Sequence, residues 1–122
     1  MKKILVVDDE EEVLKLLSER LRKKNYYVTA MSRGQDAIDR CRVDKPDLIL
    51  LDIAMPDMDG YTIAAALRDD KLLRDIPIIF VTGRELEHKG IQERIGQLGV
   101  YDYIMKPCSF QELLTKIQGF IG

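Results

Sequence analysis

The 122-residue chain holds one histidine, two cysteines and no apolar run long enough to cross a membrane, and each scarcity removes a class of function. Cys41 and Cys108 lie far apart, with no second cysteine or histidine at ligand spacing. They read as two reduced thiols rather than a zinc site or a disulfide framework. His88 sits in a polar stretch without a partner motif and reads as a surface residue. The apolar stretch after Met1-Lys2-Lys3 is too short for a signal peptide, so a cytoplasmic location with no membrane contact is expected. Repeats, low-complexity tracts and long linkers are missing, and the length accommodates one ordinary domain, residues 1–122. Neither charge sign dominates. With 19 basic and 21 acidic residues and a net charge of −2, the chain is not built to grip nucleic acid by bulk electrostatics. Arg20, Arg22, Lys23 and Lys24 cluster at the end of a predicted helix, where cations complement the dipole.

What is present is a mixture that folds: 46% hydrophobic and 33% charged residues bury a core without forcing disorder. Short apolar runs at Ile4–Val7, Tyr26–Ala30, Leu48–Leu51, Ile78–Val81 and Val100–Met105 predict five strands. Between and after them lie stripes at helical spacing. These are Val13/Leu14/Leu17/Leu21, Ala37/Ile38/Cys41, Ile63/Ala64/Leu67, Ile91/Ile95/Leu98 and Leu113/Leu114/Ile117/Ile121. Ser109 and Glu112 form a capping-box pair at the start of the last stripe, and Glu10 to Glu12 suit a helix start. Strict strand–helix alternation requires crossovers, hence an α/β, doubly wound parallel sheet with helices on both faces. In such a sheet ligands bind beyond the carboxyl ends of the strands.

The residues at those ends are Asp8 and Asp9 after the first strand, Asp52 after the third, Thr82 at the fourth and Lys106 after the fifth. Three carboxylates at one edge repel unless a cation or proton intervenes, and hard oxygen donors suit Mg²⁺. A lysine across the cluster is placed to pair with Asp52, and the Thr82 hydroxyl to donate to a phosphoryl oxygen. The parts are those of a phosphoryl-transfer site.

Four motifs in order, Val7-Asp8-Asp9-Glu10, Leu50 to Gly60 (LLDIAMPDMDG), Val81-Thr82-Gly83 and Tyr103-Ile104-Met105-Lys106-Pro107, resemble response regulator receiver domains over essentially the whole chain. The resemblance implies a flavodoxin-like fold with strand order 2-1-3-4-5. It implies that Asp52 accepts a phosphoryl group from a histidine kinase or phosphotransfer protein. Asp9, Asp52 and the Ala54 carbonyl would ligate Mg²⁺, with Asp8 acting through a water, while Lys106 neutralises phosphoryl charge. Thr82 and Tyr103 resemble the paired switch residues that change an output surface, although Tyr103 also has a plainer reading as a packing aromatic. Such a protein catalyses its own phosphorylation and dephosphorylation but is mainly a signalling switch, monomeric or dimerising on phosphorylation, with an unknown downstream protein as partner. The Lys106-Pro107 bond resembles the family's cis peptide, and Gly60 is free to take a positive φ in the loop after the acceptor.

Ala54 offers no polar side chain to orient a hydrolytic water, and Arg84 is placed to cover the phosphoryl group, so a persistent phosphoryl state is expected. The segment from Thr82 to Gly99 is slightly longer than the family pattern. Cys108 stands where the family often has an aromatic, leaving less bulk under the final helix. Other readings remain. A haloacid-dehalogenase-like phosphohydrolase uses Asp-x-Asp, whereas this chain has Asp52-Ile53-Ala54 and lacks length for a cap. A nucleotide or flavin module needs a glycine-rich loop after the first strand, where Asp8-Asp9-Glu10 stand instead. A pseudo-receiver that works by binding alone is the third. Met1 weakly favours a stand-alone regulator over a receiver cut from a longer chain.

Overall fold

The structure, a computed structural model, describes residues 1–83, 88–100 and 102–122, without the side chains of Thr82 and residues 88–92. Strands and helices alternate: β1 Lys3–Val7, α1 Glu11–Lys23, β2 Tyr27–Met31, α2 Gly34–Val43, β3 Leu48–Leu51, α3 Gly60–Asp69, β4 Ile78–Thr82, α4 His88–Leu98, β5 Asp102–Met105 and α5 Phe110–Ile121. The sheet runs β2-β1-β3-β4-β5 with every pair parallel.

Successive strand residues face opposite sides, and the core divides accordingly. Leu5, Val7, Ile49, Leu51, Ile78 and Phe80 pack under α2, α3 and the Ile95/Leu98 edge of α4. Ile4, Val6, Leu48, Leu50, Ile79 and Val81 pack under α1 and α5. Strands covered on both faces need apolar residues at every position, which is why Leu48–Leu51 is an unbroken apolar run and wholly buried. Each such side chain removed from water stabilises the fold by about 1.5–3 kcal/mol.

Two strands start later than expected, β2 and β5, while β1 starts one residue earlier, at Lys3. Tyr26 precedes β2: it is buried, and its hydroxyl donates to the Gly122 carbonyl at 2.9 Å, tying the sheet edge to the chain's last residue. Val100 precedes β5. Helix α4 ends at Gly99 in the left-handed region (φ 63°), the Val100 N–H donates to the Ile95 carbonyl, and the Val100 side chain is buried below that turn. Its backbone thus closes the helix end while its side chain joins the core under the sheet, outside the strand ladder.

Arg68 near the end of α3 binds the same corner. Its guanidinium donates to the carbonyls of Leu98 (2.9 Å), Gly99 (3.1 Å), Arg74 (2.8 Å) and Ile76 (2.9 Å). One cation thus satisfies the end of α4 and the turn leading into β4. At α5, Ser109 accepts from the Glu112 N–H at 3.1 Å, the serine half of the expected capping box. Acidic residues open α1 and basic ones close it, as expected.

Candidate metal and phosphoryl-acceptor site

Strand register brings the site together. Val7 lies opposite Leu51, Leu51 opposite Phe80, and Phe80 opposite Tyr103, so the carboxyl ends of β1, β3, β4 and β5 form one edge. The Asp52 N–H donates to the Val7 carbonyl at 2.9 Å and the Asp8 N–H to Met31 at 3.2 Å, extending the ladder one residue past each strand. Asp8 and Asp52 therefore leave the sheet side by side.

Asp8, Asp9 and Asp52 each offer a carboxylate oxygen, all within 4.8 Å of one another. Asp8 and Asp52 are only 3% and 6% exposed. Burial pushes the Asp52 carboxyl up to about 6, the charge of Asp8 adds to the rise, and Lys106 and the Ala54 backbone N–H oppose it. A close, largely desolvated group of three carboxylates repels itself through its own charge. The donor set is all hard oxygen, so the residues fit a divalent cation such as Mg²⁺.

Lys106 differs from expectation. Its Nζ sits on Asp8 Oδ2 at 2.5 Å rather than pairing with Asp52. The strand-end order alone could not separate the two carboxylates; the structure does, because Asp8 is turned toward β5 and its other oxygen accepts from the Glu10 N–H at 3.0 Å. Burial works to lower the lysine's pKa, but the hydrogen bond and charge of Asp8, with the charge of Asp52, outweigh it and the net shift is upward. The Lys106-Pro107 bond is cis. Gly83 makes room for the lysine stem: a Cβ there would lie 3.2 Å from the Lys106 Cβ. That service was not legible beforehand, because nothing in a Thr-Gly pair says which side chain passes over the glycine.

Ala54 is half-buried just beyond Asp52. Gly60 corrects an expectation. It does not adopt a positive φ, a region taken among glycines by Gly99 and Gly122. It is the first residue of α3, and its requirement is space: a Cβ would lie 2.5 Å from the Asp52 carbonyl oxygen and 2.8 Å from the Ile53 Cα. Asp59 caps α3, accepting from the Thr62 N–H at 2.8 Å.

Thr82 closes β4 opposite Met105, but its side chain, like Arg84 and residues 85–87, where the expected extra length begins, lies outside the described residues. Tyr103 is half-buried and packs against the core beneath α2, α3 and α4. Cys108 is half-buried beside a groove of about 260 Å³ between α1 and α5, lined also by Leu16, Arg20 and Phe110. Cys41 is buried, which pushes its thiol up to about 11 and leaves it inert at neutral pH. Among the described residues no helix is long and apolar enough to cross a membrane.

A doubly wound sheet with an acidic trio and a lysine at its carboxyl edge defines a class, and comparison with known proteins agrees. The model of the response regulator receiver domain matches residues 4–118, and the chain belongs to that family. It is similar to the alkaline phosphatase synthesis transcriptional regulatory protein PhoP of Bacillus subtilis, 37% identical over 98% of this chain and 48% of that protein. It is 36% identical to the polar-differentiation response regulator DivK of Brucella anthropi, over 99% of this chain and 97% of that one. The chain thus spans about half of one relative and nearly all of the other. Among solved structures, chemotaxis protein CheY4 of Vibrio cholerae superposes with a TM-score of 0.90 at 26% identity, over 99% of both chains. The BeF3-activated N-terminal receiver domain of Klebsiella pneumoniae RstA gives 0.85 at 32% identity, over 98% of this chain and 97% of that one.

Proposed function

We infer that this receiver domain accepts a phosphoryl group on Asp52 from a histidine kinase or phosphotransfer protein in a Mg²⁺-dependent reaction. The observation that carries the reading is the convergence of Asp8, Asp9 and Asp52 within 4.8 Å, with Asp52 buried and Lys106 alongside. Asp52 attacks the phosphorus of a phosphohistidine donor. The P–O bond of an acyl phosphate forms as the P–N bond breaks, and the bonding pair leaves with the imidazole.

Asp8, Asp9, Asp52 and the Ala54 carbonyl are the groups suited to hold the ion. When bound, Mg²⁺ supplies positive charge that lets the carboxylates ionise together and offsets charge on the phosphoryl oxygens. Lys106, already at the edge of the cluster, neutralises the phosphoryl group as it arrives, and the Thr82 hydroxyl donates to it. Tyr103, half-buried against the core beside β4, is the aromatic that would turn inward behind Thr82 and change the output surface met by a downstream protein. The methyl side chain of Ala54 orients no hydrolytic water, which favours a persistent phosphoryl state.

Incubation with acetyl phosphate, followed by intact-mass measurement, tests the reading. The expected result is one phosphate adduct that requires Mg²⁺ and is absent from Asp52→Ala. No adduct on folded, Mg²⁺-bound protein would instead indicate a module that works by binding alone. Turnover of the donor to free phosphate with no adduct would indicate a phosphohydrolase.

A further inference from the structure

The β3–α3 loop, residues 52–59, carries both Asp52 and Ala54, and it is held at two points. At its far end the Gly60 N–H donates to the Ile53 carbonyl at 2.6 Å, closing the loop on itself. At its tip the Asp57 carboxylate accepts from the Gly34 N–H at 2.9 Å. Gly34 is the first residue of α2, and the residue at that helix's N-cap position, Arg33, makes no side-chain capping hydrogen bond. The cap for α2 is therefore delivered from another element, 23 residues away in sequence. The approach is close: a Cβ on Gly34 would lie 2.9 Å from the Met58 Cβ and 2.9 Å from the Ile63 Cδ1. Helix α2 packs with α3 on the face of the sheet that contains Val7 and Leu51, so its N-terminus is a fixed post for the loop.

We propose that Asp57 is a positioning residue for the metal site, its carboxylate seated on the N-terminus of α2 so that the loop holds the Ala54 carbonyl and the Asp52 carboxylate in place for Mg²⁺. This rests on the function proposed above. Asp57 touches neither the ion nor the phosphoryl group; it acts through the backbone of residues 54–57. Its side chain is exposed, so replacing it does not empty the core.

The test compares Asp57→Ala and Asp57→Asn with the wild type by Mg²⁺ calorimetry and by amide hydrogen exchange of the metal-free protein. Both variants lose the same charge, but asparagine keeps an oxygen that can accept from Gly34. The expected result is a Mg²⁺ dissociation constant raised on the order of tenfold in Asp57→Ala, with faster exchange at Gly34 and Gly60. In Asp57→Asn both readouts return to within about twofold of wild type. Equal weakening in the two variants would mean that the charge near the ion, not the anchoring bond, matters, and would overturn the proposal. So would an Asp57→Ala protein with wild-type Mg²⁺ affinity. A wild type that binds no Mg²⁺ defeats the proposed function itself, is seen in the control before any variant is read, and removes the positioning role with it.

Discussion

Asp52→Asn is expected to stabilise the metal-free protein at about pH 7.5 by up to about 3 kcal/mol, at the same time as it abolishes phosphoryl acceptance. The stabilisation follows from the position of the Asp52 carboxyl. The residue is 6% exposed, and its carboxyl is pushed up to about 6 by burial first and by Asp8 second, from an ordinary value of 3.8. Between those two pH values the folded protein holds a proton that the unfolded chain has released. Stability therefore falls as pH rises through that window, and the penalty is fully present above about pH 6. Asparagine carries no charge to desolvate, so the two proteins should converge near pH 4 and separate by pH 6. Urea unfolding at the two ends of the window measures the gap. Mg²⁺ should stabilise the wild type by more than the variant, since it relieves the repulsion that the substitution removes. An asparagine variant less stable than wild type at pH 7.5 without Mg²⁺ would contradict this account of the site's electrostatics.

Gly60→Ala is expected to destabilise the protein by about 3 kcal/mol and to weaken Mg²⁺ binding beyond what the lost stability explains. The added methyl would meet the Asp52 carbonyl oxygen at 2.5 Å and the Ile53 Cα at 2.8 Å. Both are backbone, so no rotamer change relieves the clash, and the atoms that must move belong to Asp52 and its neighbour Ile53. Gly96 and Gly119 provide the control, with nothing within 4 Å of a built Cβ. Alanine in those helices should be neutral or stabilise by up to about 1 kcal/mol. Urea midpoints for the three variants, measured beside the wild type, are enough. A Gly60→Ala protein within about 0.5 kcal/mol of wild type would show that the loop yields freely, against the close approach of Asp52 and Ile53 to Gly60.

The contrast between these glycines shows what the sequence could convey. That Gly60 matters is readable from its motif, but the reason is not: the motif suggests a turn needing positive φ, whereas the structure shows close approach of two backbone segments. The sheet was legible because strands buried on both faces leave unbroken apolar runs, as at Leu48–Leu51, and because the helical stripes between them keep their period. Boundaries were less so where an apolar residue enters the core from outside the strand ladder, as Val100 does while its N–H closes α4. Leu73 and Ile76, buried in the turn before β4, belong to no periodic stripe and carried no signal. At the site, the strand-end rule picked out Asp8, Asp9, Asp52 and Lys106, since register alone brings them to one edge. Which carboxylate holds the lysine depends on side-chain direction, which strand order does not contain. The link from Asp57 to α2 was likewise hidden, being a contact between distant segments that neither segment's own pattern requires.

Borohydride trapping of the phosphorylated protein distinguishes an aspartyl phosphate from an adduct on any other side chain. The reagent reduces an aspartyl phosphate to homoserine, and peptide mass mapping then locates the modified residue. Homoserine is expected at position 52 alone, formed only after exposure to acetyl phosphate with Mg²⁺. Homoserine at another aspartate, or a phosphate adduct that resists borohydride and maps to a hydroxyl side chain, would contradict phosphoryl acceptance on Asp52.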